Sequence, residues 1–233
     1  MLGKLFKKAA AASLSLQMRD TLYDDLPMEK FPPGPNEAFP WSKFVKARDL
    51  IATGRIDMAI DCWREITELP GLDPRFYAQA WHYLRAQGVT PPPERAKQIL
   101  GVIIELGMAK GLDLLAAYPD YSARYYNYSS AGAIWEHPDN SLNPIINALF
   151  AASARAVAHL GPWTESRPGP PPTDQVRLSF LTPSGLHFGQ GPIKAMSADS
   201  IGGPVFHLGA ELMRALIQKT MNAKKQAAPG KSQ

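Results

Sequence analysis

From Trp41 onward, apolar residues recur every three or four positions, the period at which they share one face of a helix. Phe44, Ala47, Leu50 and Ile51 form one such face, closed by Gly54. Met58, Ala59, Cys62, Trp63, Ile66 and Leu69 form a second, closed by Pro70-Gly71. Phe76, Tyr77, Ala80, Trp81 and Leu84 lead to Gly88. After the proline-rich link 89–93, Ala96, Ile99, Leu100, Ile103 and Ile104 predict a further helix. Past Gly107 the period shortens toward two. Residues 112–118, 123–128 and 133–135 predict a three-stranded antiparallel meander with turns at Pro119-Asp120 and Ser129–Gly132. Asn140 or Ser141 caps a helix with Leu142, Ile145, Ile146, Leu149, Ser153, Val157 and Leu160 on one face, stopped by Gly161-Pro162. A stiff connection, 168–172, leads to a strand at 175–180, a turn at 182–185 and a return at 186–188. Pro204 opens the last helix, with Val205, Leu208, Leu212, Leu216 and Ile217 facing inward.

The segment from Ala47 to Trp63 resembles a tetratricopeptide repeat hairpin. Gly54 ends the first helix, Ala59 lets the two helices approach, and Trp63 fills the groove between them. The resemblance covers residues 41–106 as about two units, with a longer link in the second. It implies a helical-repeat-like bundle that packs on the second half of the chain, since such repeats need three or more units to stand alone. The second half has the order β-β-β-α-β-β-α, similar in outline to profilin-like and PAS-like modules, which often serve in binding or sensing. The expected class is therefore α+β: a helical bundle followed by a five-stranded, mainly antiparallel sheet covered by helices. The expected divisions are a basic arm and Pro-rich linker at 1–39, the bundle at 40–108, an α+β domain at 109–221, and a disordered basic tail at 222–233.

Charge refines this picture. The net charge is +4, but residues 1–19 and 212–233 hold nine of the 25 basic residues and no acid, leaving a formal charge of −5 between them. The folded body then lacks the basic stripe that tracks a phosphate backbone, which argues against nucleic-acid binding through it. Leu2, Leu5, Phe6, Ala9 and Leu16 lie at helical spacing among lysines, a pattern suited to a mobile arm, to membrane-surface contact or to targeting. No apolar run approaches the roughly 18 residues that cross a bilayer. One cysteine, many alanines and 22 prolines suit a bacterial cytoplasmic protein, with attachment at a membrane periphery through the arm as the variant.

Catalytic templates fail in turn. Cys62 lies on an apolar helix face, where a small hydrophobe is wanted, and no G-x-S-x-G elbow marks a serine. The five histidines are scattered, and only His207 has a ligand type four residues on, in Glu211, so neither a metal nor a cofactor is expected. Asp24-Asp25 lies in the arm, and Asp57, Asp61, Glu65 and Glu68 form a solvated helix face. Gly189-Gln-Gly-Pro192 matches no phosphate-binding fingerprint, and no helix is expected at its end.

Two features stand out. Tyr118, Tyr121, Tyr125, Tyr126, Tyr128 and Trp135 crowd 18 residues with Arg124 among them, and tyrosines favour interfaces. Glycine, proline and serine in the loop 182–192 hold His187 and Phe188 on an unusual path. The expected partner-binding residues are accordingly Tyr121, Arg124, Tyr126, Tyr128, Trp135, His187 and Phe188. These point first to a non-enzymatic interaction module (adaptor, chaperone or assembly subunit) binding another protein or itself. The alternatives are a small-molecule-binding regulatory or enzymatic module with its pocket near 182–192, and a peripheral membrane protein held by residues 1–19.

Overall fold

A computed structural model describes residues 16–32, 37–129 and 131–227. The amphipathic helix expected in the first residues falls almost wholly outside these, as do Pro33 to Pro35 of the linker and residues 228–233 of the tail. The elements are α1 (Trp41–Ala52), α2 (Ile56–Glu68), α3 (Pro74–Ala86), α4 (Pro93–Ala96), β1 (Gly101–Met108), β2 (Gly111–Ala117), β3 (Ala123–Tyr126), β4 (Gly132–Trp135), α5 (Asn143–Ala158), β5 (Gln175–Thr182), β6 (Gly185–Pro192), α6 (Ile193–Ala198) and α7 (Gly202–Ala227).

Helices and an antiparallel sheet make an α+β fold, with six strands rather than five, in the order β4-β3-β2-β1-β5-β6. The extra strand is β1, at the centre, where the apolar pattern predicts a helix. Leu100 to Leu106 is apolar at almost every position because both faces of β1 are covered, so its pattern carries no period. The meander β2-β3-β4 and the β5-β6 hairpin form where expected, although β6 runs on through Pro192.

Two cores flank the sheet. Val102, Ile104, Leu115, Leu178 and Phe180 face α5 and α7, which bury Ile146, Leu149, Leu212 and Leu216 against them. On the other face, Ile103, Leu114, Ala116 and Leu181 meet α1 to α3, whose inward residues are Phe44, Ala47, Leu50, Ala59, Trp63, Ile66, Ala80 and Leu84. Gly54, at φ 74°, turns α1 into α2. The second helical unit stops at α3, because α4 has four residues and leads straight into β1. Met58 and Leu69, expected inward, are exposed.

The segment 16–32 is no loose linker. Leu22 and Tyr23 are buried in the helical-side core. Tyr118 Oη donates to Leu22 O at 3.1 Å, and Gln79 Nε2 and Tyr83 Oη each donate to Leu26 O at 3.0 Å. Phe31 stacks with Trp41 and Phe44, at centroid separations of 5.3 and 4.9 Å. At the C-terminus, residues 222–227 continue α7 rather than starting a tail. Among the described residues no helix is long and apolar enough to cross a membrane.

Candidate functional site

The expected partner-binding residues divide between opposite edges of the sheet. Tyr121, Arg124, Tyr126, Tyr128 and Trp135 lie on or beside β3 and β4, whereas His187 and Phe188 lie on β6, at the far edge. Most of the aromatic strand is used internally. Tyr126 packs on the helical-side core, Tyr121 stacks on His137 at 5.1 Å, and Trp135 is buried beneath Lys219 Nζ at 5.0 Å. Tyr125 Oη is 3.0 Å from Asp113 Oδ2, and Arg124 pairs with Glu136 at 2.9 Å. Tyr128 alone of the expected set is exposed; on β4, Ile134 is 60% exposed.

At the other edge, Ser184 Oγ lies 3.0 Å from His187 Nε2, and His187 Nδ1 lies 3.2 Å from Leu160 O. A carbonyl only accepts, so Nδ1 carries the proton and Nε2 of the neutral ring receives the serine hydroxyl. This is nucleophile-and-base spacing, yet the ring is wholly enclosed and the Ser184 hydroxyl also meets Thr182 Oγ1 at 3.0 Å. The group fastens the β5-β6 turn. Burial pushes the His187 pKa down, with the charges of Lys97 and Arg85 acting the same way. Phe188 packs against Trp163 at 5.1 Å, and Arg177 Cζ lies 5.3 Å from its ring centre.

Behind this hairpin lies a cavity of about 440 Å³. Alternation along β5 sends Val176, Leu178 and Phe180 toward α5 and α7. The register sets Gly189 beside Leu178 and Gly191 beside Val176, so both glycines share that face and floor the cavity. Leu160, Met196 and Ile201 form its walls, and His159 and Asp199 are polar groups in its lining. Asp199 caps α7, accepting from Ile201 N at 2.9 Å and Gly202 N at 2.6 Å, and these bonds hold its carboxyl below the usual range. The wall helix α6 has six residues, none fully buried, and starts directly after Pro192, where the sequence suggests no helix.

The two glycines differ from the other strand glycines in what surrounds them. A Cβ on Gly107 would meet Pro172 O at 1.9 Å, and one on Gly132 the Tyr126 ring at 2.6 Å. A Cβ on Gly189 or Gly191 meets nothing within 4 Å, and neither residue has a left-handed φ. Glycine in a strand costs about 0.5–1 kcal/mol relative to alanine. Neither backbone strain nor internal crowding demands it here, and what the missing side chains keep open is the cavity.

His207, expected as the only helical metal-ligand candidate with Glu211, has Nε2 3.0 Å from Ser197 O, which ties α7 to α6. Among the described residues no group of three or more His, Cys, Asp or Glu side chains is placed to hold a metal ion. Cys62 is buried, and burial pushes its thiol pKa up.

The sequence reading missed the opposite face of the hairpin, where residues 23–25, α3 and the connection before β5 enclose a polar cleft of about 320 Å³. Its signals were present in Asp24-Asp25 and in His82 and Arg85, three residues apart on one helix face, but only the fold brings them together. Compared with models of known protein families, with curated proteins and with solved structures, the chain matches none.

Proposed function

We propose that the protein is a non-catalytic binding module that holds a small, largely apolar molecule in the cavity behind β6. The supporting observation is the pair Gly189 and Gly191, strand glycines whose absent side chains leave a cavity open rather than relieve strain or crowding. The volume lies in the range of small-molecule sites, and the lining has their usual make-up, apolar walls with a few polar groups. The hydrophobic dye 8-anilinonaphthalene-1-sulfonate is the probe. It should bind saturably at one site per chain, and Gly189→Val should weaken it at least tenfold without lowering Tm. Equal binding by the folded valine variant would falsify the reading.

The interaction reading keeps one observation of its own. Ile134 is 60% exposed on the edge strand β4, and such an edge invites strand pairing with a second copy of this chain. Sedimentation should then show a dimer that Ile134→Asp dissociates, and a wild-type monomer at high concentration removes this reading.

A further inference from the structure

The cavity behind β6 opens on a sheet edge whose backbone is partly unpaired. Ile193 N donates to Asp174 O at 3.0 Å, which continues the bonding of the odd-numbered residues of β6 to β5. The even-numbered residues therefore aim their N–H and C=O groups outward, and Trp163 N donates to the outward Leu186 O at 2.7 Å. The cover ends there. Among the described residues no hydrogen bond reaches the outward N–H or C=O of Phe188 or Gln190. The Gln190 side chain is drawn toward β5, with Oε1 accepting from Arg177 Nε at 2.9 Å and Nε2 donating to Gln175 Oε1 at 2.8 Å. Edge strands are ordinarily blunted by charge, proline, a bulge or a covering segment. From Leu186 to Gly191 this one has no Lys, Arg, Asp or Glu, no bulge in its register and no proline before Pro192. Gly189 and Gly191 flank Gln190, and glycine within a strand marks where a ligand or another backbone can come close.

The cavity and the edge form one site. Gly189, Gln190, Gly191 and Pro192 line the hollow in succession, both parities of the strand, so it reaches the edge as well as the face. Its occupant has two demands to meet: partners for outward main-chain groups, and an apolar group to lie over the glycines. An extended peptide meets both, since its own N–H and C=O groups complement those of the edge and every second side chain falls on one face. We infer that an extended peptide with apolar residues at alternate positions adds to β6 as a seventh strand, those side chains entering the cavity. The inference rests on the cavity reading above and names the class of the occupant. Side chains at the intervening positions fall on the face of Phe188 and Gln190, where polar residues fit. A second copy of this chain suits the edge less well. Its β6 offers the cavity side only glycines and the enclosed His187, and both cavities stay empty.

The probe is the peptide acetyl-Thr-Leu-Thr-Leu-Thr-amide, titrated into the full chain by calorimetry and in competition with 8-anilinonaphthalene-1-sulfonate. It should displace the dye and raise Tm, and Gly189→Val should weaken dye and peptide together. Methylating each peptide N–H in turn then reads the geometry. In an added strand successive N–H groups point alternately toward β6 and away from it. Methylation should therefore weaken binding at least tenfold at one residue type, threonine or leucine, and have little effect at the other. Amide exchange at Phe188 and Gln190 should slow when peptide is added, whereas Gly189 and Gly191 are already bonded to β5 in the free chain. Dye binding without peptide binding, or the same response to methylation at both residue types, overturns the inference and leaves the cavity reading standing. No dye binding removes both. Protection of the same two amides by rising protein concentration alone assigns the edge to a second copy, and that too overturns the inference.

Discussion

A single hydrogen is all the room that position 107 offers. The connection 168–172 crosses β1 there, and a methyl group would overlap the Pro172 carbonyl, whose backbone cannot swing aside as a side chain can. Gly107→Ala should therefore cost about 3 kcal/mol or more in urea denaturation, whereas Gly189→Val should be neutral or slightly stabilising. A cost below about 1 kcal/mol at 107 would show that the connection yields. Titration at the same scale gives two opposite slopes. His187 is enclosed with its pKa depressed, so the unfolded chain binds the proton more readily. Its contribution is present above the unfolded value of about 6.5 and is lost as pH falls below it toward the folded value. Asp24 runs the other way. Its folded pKa is raised, so stability falls as pH climbs from about 4 toward that higher value. Asp24→Asn should accordingly raise Tm by a few degrees at pH 7 and leave it unchanged at pH 3. An equal gain at both pH values would mean that the carboxylate charge is not the cause.

At the scale of elements, the strap of residues 16–32 is held by charge inside the fold. Glu105, at the centre of β1, is fully enclosed. It pairs with Arg19 from the strap and with Arg177 from β5 at 3.1 Å, and Tyr23 Oη donates to it at 2.8 Å. Arg19 Nη2 reaches Pro168 O at 2.7 Å and Arg177 Nη1 reaches Gly169 O at 2.7 Å, so the proline-rich connection closes over the group. Removing the one carboxylate leaves two buried guanidinium groups without a counter-charge. Glu105→Ala should cost about 3–5 kcal/mol, and Glu105→Gln less, because the amide oxygen still accepts. Equal losses for both would assign the effect to packing rather than charge. None of this was legible in the sequence. Partners 72 to 86 residues apart leave no local pattern, and Glu105 interrupts an apolar run that reads as one more helical face. The long helices were legible because one face of each packs inward and the other meets solvent, as with Val205, Leu212 and Leu216 in α7, and β3 and β4 alternate in the same way. The candidate cavity was half legible. Its loop of 182–192 drew attention through glycine and proline, but those residues suggested a loop, when pairing with β5 makes them a strand.

For the whole molecule, the decisive fact is which elements share a core. The helical-side cluster joins the strap, α1 to α3, β1, β2 and β5, so no boundary at residue 108 separates a bundle from a sheet domain. A chain cut after 108 keeps the other five strands but loses the one between β2 and β5. Those two strands would then present unpaired edges in the middle of the sheet, and Leu114, Ala116 and Leu181 would lose their cover. The full chain should therefore unfold in one cooperative calorimetric transition, with the van't Hoff enthalpy equal to the measured enthalpy. The fragment 109–233 should show neither that transition nor dispersed amide resonances. A fragment that melts cooperatively by itself, or two resolved transitions in the full chain, would restore the division at 108. The proposed cavity ligand sharpens the same test. Because that cavity flanks the β5-β6 hairpin, and β5 pairs with the shared strand β1, binding there should stabilise the entire chain rather than half of it. A ligand that shifts the single transition upward without splitting it is the outcome expected.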